Sequence, residues 1–347
     1  MTNHMVFEER VQFREKLTKR EIQALISNKA LKVLQCSEPV KTRTWKLLNE
    51  QFFPKRPEVQ LRVYGWYAQV CDLSFVTMLT NVRNFSADSL MHAQGVEHLS
   101  AMEKLESLGV GIFHLEGFDF LNQVPSRLKK LYLGETKSKK PDLSPLNRFH
   151  LLEEIYLVGQ QKNIEVLSQL LKLKDVTLRS ISTPEINYLR PLAKMWSLDI
   201  KLGGIKNLNG IEGMENIKYL ELWQIRGLAN IEVISTLTGL QHLFLQSLRQ
   251  VERLPDLTKL KKLQRITMEN MKGLIDIGAL EAAPALEELI HTSAGNLQPE
   301  DYLPLFKNPN LKSAGVWFGS DKRNNRFKKL LEEHAVAPYD SRQFIFR

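Results

Sequence analysis

Apolar residues along this chain return in one phase over most of its length. Segment 217–225 shows the unit: Ile217, Leu220 and Leu222 are spaced three and two apart, and Tyr219, Glu221 and Trp223 alternate with them. The same frame holds upstream at Met195, Leu198, Ile200; Leu173, Val176, Leu178; Leu152, Ile155, Leu157; Leu128, Leu131, Leu133; Leu105, Leu108, Val110; and Val82, Phe85, Ala87. Leu61 with Val63 and Leu31 with Leu34 begin it. Downstream it continues at Leu240, Leu243, Leu245 and Leu263, Ile266, Met268, and more weakly at Leu286 with Leu289 and Leu311 with Val316. Each unit predicts a short strand whose successive side chains face opposite ways. Between strands, Leu228, Ile231, Ile234, Leu237 and Leu240 recur at every third position. That period suits 3-10 or tight-turn backbone better than an α-helix of about 3.6 residues per turn.

One Leu-x-x-Leu-x-Leu is weak evidence, because amphipathic helices produce it; about a dozen copies with a step of about 23 residues are strong evidence. On these residues the chain resembles the leucine-rich-repeat family over about residues 31–318, and it is similar to the short internalin-type repeats. The resemblance implies an α/β leucine-rich-repeat solenoid (horseshoe). Its parallel sheet would be concave, its convex side short and rich in 3-10 turns, and its ends closed by helical caps. The sequence departs from the pattern at one place. Such repeats usually carry asparagine three residues after the last leucine of the motif, and here Ile181, Ile225, Leu248 and Met271 stand there. The turn is therefore expected to close by apolar packing.

The ends of a solenoid expose its core and need lids. Thr18 and Glu21 have capping-box spacing ahead of Ile22, Leu25 and Ile26, which predicts a helix over 7–28. Trp45, Leu48 and Phe52 predict another before Pro54. Residues 326–336 read as a helix with Phe327, Leu330 and Leu331 inward, and Phe344 and Phe346 alternate like a final strand. Residues 1–57 are expected to form the N-terminal helical cap and first longer repeat, 58–318 the array, and 319–347 the C-terminal cap; 134–146 is the most loop-like insertion. Tyr64, Trp66 and Tyr67 are expected under the N-terminal cap, and Trp317 and Phe318 under the C-terminal one.

Composition narrows the function classes. The chain has 347 residues, 43% hydrophobic and 25% charged, an ordinary globular balance. Its first residues lack the apolar core of a signal peptide, and no apolar run is long enough to span a bilayer, so the expected location is cytoplasmic, without membrane contact. Two cysteines, Cys36 and Cys71, fit a reducing compartment; Cys36 stands where the frame puts a core leucine. The eight histidines form no zinc-helix spacing, and neither a phosphate-binding glycine loop nor a nucleophile elbow is present. The expectation is no catalysis, no metal and no cofactor.

A net charge of +9 keeps nucleic acid among the partners to weigh. The basic runs, however, fall in the 134–146 insertion (Lys137, Lys139, Lys140), at a strand entry (Lys259, Lys261, Lys262) and in the C-terminal cap (Lys322, Arg323, Arg326, Lys328, Lys329), without interleaved aromatics. They read first as solvated surface.

The residues between the frame leucines line up, coil on coil, into rows about 4.8 Å apart. One row is Tyr132, Tyr156, Thr177, Asp199, Glu221, Phe244, Thr267; a second is Lys130, Glu154, Asp175, Ser197, Tyr219, His242, Arg265; a third is Gly134, Val158, Arg179, Lys201, Trp223, Gln246, Glu269. The middle of that face is aromatic and acidic in a chain of positive net charge. The expected partner-binding residues are Tyr132, Tyr156, Asp175, Asp199, Tyr219, Glu221, Trp223, His242 and Phe244. The resemblance implies a non-catalytic protein–protein interaction module, an intracellular scaffold or regulator. Its partner would be a protein or peptide, for which basic residues would suit the local charge, and the chain would be a monomer on its own. Two other classes are kept: a nucleic-acid-associated factor using the basic edges and caps, and an exported effector.

Overall fold

Short alternating segments make short strands, and a computed structural model, which describes residues 4–7, 9–66 and 69–347, stacks them in register. Tyr67 lies outside the described residues. The chain divides into two compact units, Met1–Lys172 and Leu173–Arg347.

The first unit opens with an antiparallel hairpin, β1 (His4–Phe7) and β2 (Arg10–Phe13), followed by α1 (Lys19–Ser27). The helix predicted over 7–28 is thus shorter. Residues 10–13 alternate as Arg-Val-Gln-Phe, with Val11 and Phe13 buried, so they pair as a strand rather than coil. The capping box forms as expected: Glu21 N donates to Thr18 Oγ1 at 3.2 Å and Thr18 N donates to Glu21 Oε2 at 2.7 Å. Next come β3 (Val33–Cys36), α2 (Thr42–Leu47), which continues as a π-helical turn over Leu48–Phe52, and β4 (Gln60–Tyr64). A two-stranded pair, β5 (Cys71–Asp72) and β7 (Ala93–Gln94), flanks β6 (Asn84–Leu90) in the chain. β8 (Ser107–Ile112), β9 (Lys130–Leu133) and β10 (Glu154–Val158) complete the unit. The strands β2, β3, β4, β6, β8, β9 and β10 pair in parallel in that order.

The second unit stacks β11 (Asp175–Arg179), β12 (Ser197–Lys201), β13 (Tyr219–Trp223), β14 (His242–Gln246), β15 (Arg265–Glu269) and β16 (Glu288–Thr292), all parallel. α3 (Leu303–Phe306), β17 (Ser313–Val316), α4 (Asp321–Glu333) and β18 (Ala337–Pro338) follow, β17 and β18 extending the sheet. The connections are short 3-10 turns, such as Glu232–Thr236, because a three-residue apolar period presents one narrow stripe to the core. The frame leucines are the core: Leu198, Leu220, Leu222, Leu243 and Leu245 are fully buried. So is Cys36, whose burial pushes its thiol well above the usual value.

The turn after each of β11 to β15 has a left-handed residue: Ser180, Leu202, Gln224, Ser247 and Asn270 have φ between 49° and 57°. Their backbone N–H groups donate to the strand-end carbonyls of the next coil, Ser180 to Lys201 at 2.7 Å, Leu202 to Trp223 and Gln224 to Gln246 at 2.8 Å, and Ser247 to Glu269 at 2.9 Å. Because these donors are satisfied from coil to coil, the interior turn position needs no polar side chain. Ile181, Ile225, Leu248 and Met271 are buried there, as the sequence led one to expect.

The C-terminal end departs from expectation in two places. Phe318 is buried against Tyr302 and Phe327, yet its neighbour Trp317, also beyond the end of β17, is 44% exposed. Phe344 and Phe346 belong to no strand; they return to the sheet by a different route.

Candidate functional site

All three rows form in the second unit, and two of them in the first. In the second, Asp175, Ser197, Tyr219, His242 and Arg265 are successive register partners, as are Thr177, Asp199, Glu221, Phe244 and Thr267, and Arg179, Lys201, Trp223, Gln246 and Glu269. In the first, Tyr132 is the partner of Tyr156 and Lys130 of Glu154. All these side chains lie on the open face, opposite the leucines. The expected site residues therefore fall into two groups: Tyr132 and Tyr156 on β9 and β10, and Asp175, Asp199, Tyr219, Glu221, Trp223, His242 and Phe244 on β11 to β14.

The second group is an electrostatic network. Lys201 Nζ lies 3.0 Å from Asp199 Oδ2 and 3.2 Å from Glu221 Oε1, all three side chains less than a fifth exposed. Tyr219 donates its hydroxyl to Glu221 Oε2 at 2.8 Å. One cation serves two carboxylates, so the balance is acidic. Burial, then the charge of Glu221, raise the Asp199 carboxyl to about 6, with Lys201 opposing them. Asp199 Oδ1 is buried without a hydrogen-bond partner among the described residues. Burial and the Glu221 charge also push the Tyr219 phenol above its usual value.

Aromatic groups flank the carboxylates. Trp223 is half-buried, with the Arg179 guanidinium 5.8 Å from its ring centre. Tyr219 and His242 meet edge to face at 5.2 Å, and His242 Nε2 shares a hydrogen bond of 3.1 Å with Thr267 Oγ1. Burial, then the nearby charge of Arg265, lower the His242 imidazole to about 4, so it is neutral at pH 7. This arrangement offers ring faces, a carboxylate pair and half-exposed edges.

A further row escaped the sequence reading. Trp196, Lys218, Gln241 and Gln264 stand one residue before β12, β13, β14 and β15, and their backbones pair across coils: Lys218 N donates to Trp196 O, and Gln241 N to Lys218 O. Residues 342–347 lie on this entry row and on the row beside it. Phe346 packs against Trp196 and Tyr219, and Phe344 against His242. The repeat step alone could have found the row; nothing local could have said that the tail returns to it. His291, also missed, fills a core leucine position on β16, fully buried, and shares a 2.6 Å hydrogen bond with the hydroxyl of buried Tyr302.

The C-terminal basic run is partly committed to structure. Arg323 donates to the carbonyls of Gly295, Leu297 and Phe318, and Arg326 pairs with Glu300 and Glu333 at 2.8 Å. Among the described residues no helix is long and apolar enough to cross a membrane.

No protein-family sequence model matches the chain, and no curated protein sequence does. Solved structures do. An internalin (inlF) from Listeria monocytogenes is similar at 19% identity and a TM-score of 0.59, over 88% of this chain and 86% of that one. TLR13 in its complex with ssRNA13 is similar at 17% identity and a TM-score of 0.51, over 89% of this chain and 54% of that one. At such identities the likeness is one of fold. With the parallel strands, the 3-10 connections and the buried leucine frame, it makes this chain an α/β leucine-rich-repeat solenoid of short, internalin-like repeats without the asparagine ladder.

Proposed function

We propose that this protein is a non-catalytic protein–protein interaction module that holds a protein or peptide on the open face of β12 to β14. The observation that carries the reading is the half-exposed aromatic group of β13 and β14, Tyr219, Trp223, His242 and Phe244, set beside the Asp199–Lys201–Glu221 network. Aromatic anchors next to fixed charges suit a partner segment that buries apolar side chains and presents a cation to the carboxylates. Excess negative charge on this face disfavours a phosphate backbone. Tyr132 and Tyr156 on β9 and β10 are a second, smaller contact in this reading.

The test is affinity capture from the native cell, followed by titration of the identified partner against Trp223→Ala and Phe244→Ala. Each substitution is expected to weaken binding by about 2 kcal/mol or more, with little change in the unfolding midpoint. Unchanged affinity for both would end the reading.

A further inference from the structure

Residues 342–347, Arg-Gln-Phe-Ile-Phe-Arg, cross the entry ends of β15, β14 and β13 without joining the sheet as a strand. Side chains of the sheet hold them instead. Arg265 Nη2 donates to Arg342 O at 3.1 Å, and the Arg265 guanidinium stands 5.1 Å from the ring centre of Phe344. Phe344 rests 5.2 Å from His242, and Phe346 lies 5.9 Å from Tyr219 and 5.3 Å from Trp196. Gln241 clamps the Arg347 backbone in both senses: it accepts from Arg347 N at 2.8 Å and donates to Arg347 O at 2.7 Å, where Lys218 Nζ donates as well.

The geometry carries a code. The rings of Phe344 and Phe346 are 4.9 Å apart, which matches the spacing of about 4.8 Å between neighbouring strands. Aromatics two residues apart on a chain running across the strands therefore land on consecutive coils, and Ile345 between them is 78% exposed. The remaining contacts read backbone atoms, which any extended peptide offers. Arg347 adds charge: the Glu287 carboxyl, although burial works the other way, is held below its usual value by hydrogen bonds from Lys312 and Gln264 and by the charges of Lys312 and Arg347. A gap of about 310 Å³ remains beside the segment, edged by Gln264, Arg265 and Glu288, so the seat is not closed.

We propose that this strand-entry edge is a socket for extended peptides of the pattern aromatic-x-aromatic-basic, and that residues 342–347 are its built-in occupant, displaced by a partner segment of that chemistry. The inference rests on the reading of this sheet as a protein-binding surface and names the partner's chemistry. A tethered segment competes at an effective concentration no free peptide reaches easily, so the occupied socket is self-limiting.

The test uses the full chain, a Phe344→Ala/Phe346→Ala double variant, and a fluorescent peptide with the sequence of residues 340–347. The double variant is expected to bind this probe at least about 10-fold more tightly than the unaltered chain, because the tethered competitor is gone. A peptide with alanine at both phenylalanine positions should bind neither. Trypsin should also cut after Arg342 faster in the double variant. Equal probe affinity for both chains, or equal binding of the alanine peptide, overturns the proposal. Gln241→Leu gives an independent arm: it leaves both phenylalanines in place and should likewise speed cleavage after Arg342, and no change counts against the clamp. A concentration-dependent dimer abolished by the double variant would assign the segment to a second copy and overturn the intramolecular role. If Trp223→Ala weakens partner binding while the double variant leaves probe affinity unchanged, the face reading stands and the socket fails. The reverse pattern leaves the socket and removes the central face.

Discussion

The open faces of the two units are built on one repeat frame and satisfied in different ways. In the first unit the alternating residues pair with each other. The Tyr132 and Tyr156 rings meet tilted, 4.9 Å apart, Lys130 and Glu154 form an ion pair, and Arg62 pairs with Asp88 while lying 4.4 Å over the Tyr64 ring. Beside them Gly109 leaves no room for more, since a Cβ there would come within 2.9 Å of the Ser86 Cβ. In the second unit the same positions hold two carboxylates for one lysine, and aromatic rings that meet the chain's own tail. The frame decides only that a residue faces outward; whether its neighbours match it depends on the coils stacked on either side.

The turns show a parallel contrast. The coils of β11, β13, β14 and β15 close them with buried Ile181, Ile225, Leu248 and Met271, whereas at the same position the coils of β9 and β10 in the first unit have Thr136 and Gln160. Gln160 Nε2 donates to Gly134 O at 2.8 Å and to Thr136 Oγ1 at 3.1 Å, a polar closure that the second unit replaces with backbone bonds.

Substitutions can break these contrasts, beginning with the largest effect. Leu222→Ala should cost about 3 to 5 kcal/mol in chemical denaturation, while Trp223→Ala, one residue along on the open face, should cost no more than about 1 kcal/mol. Equal losses would mean the two faces are not distinct. Lys201→Met should cost about 2 to 4 kcal/mol at pH 7, because it leaves Asp199 and Glu221 facing each other without their cation. That loss should shrink as acid protonates them. The matched Lys130 pair of the first unit is exposed, and Lys130→Met should change stability by about 0.5 kcal/mol or less.

Asp199 gives the comparison a pH signature. Its folded-state value of about 6 lies above the usual 3.8, so the native state binds the proton more tightly and this group costs stability as pH rises from 4 to 6. Asp199→Asn should remove that loss, on the order of 2 kcal/mol at pH 7. His242 acts in the opposite sense: lowered from 6.5 to about 4, it costs stability as pH falls through that window, and its imidazole should remain neutral by NMR down to about pH 4. In the first unit, Gln160→Leu should cost about 1 to 3 kcal/mol by leaving Gly134 O without its donor.

Much of this molecule is legible in its sequence. The position of every frame leucine, the outward rows, the apolar turns and the capping box at Thr18 follow from local spacing, because a strand of period two and a step of about 23 residues leave one consistent stacking. The N-terminal hairpin was less legible, since a helix signal at Thr18 says nothing about where the preceding strand ends. The polar turn of Gln160 and the buried His291–Tyr302 pair look in sequence like surface residues; only their position in the frame gives them away.

By itself, then, the sequence determined which residues face the core and which face out, since that is a matter of periodicity. The tertiary structure decided which outward residues are left unmatched. Asp199 has its raised carboxyl because stacking buries it and then brings Glu221, a full repeat away, beside it, and Phe344 and Phe346 meet His242 and Tyr219 because the chain turns back over a hundred residues later. Charge balance and aromatic contact are set by distances in space, and no local pattern encodes those.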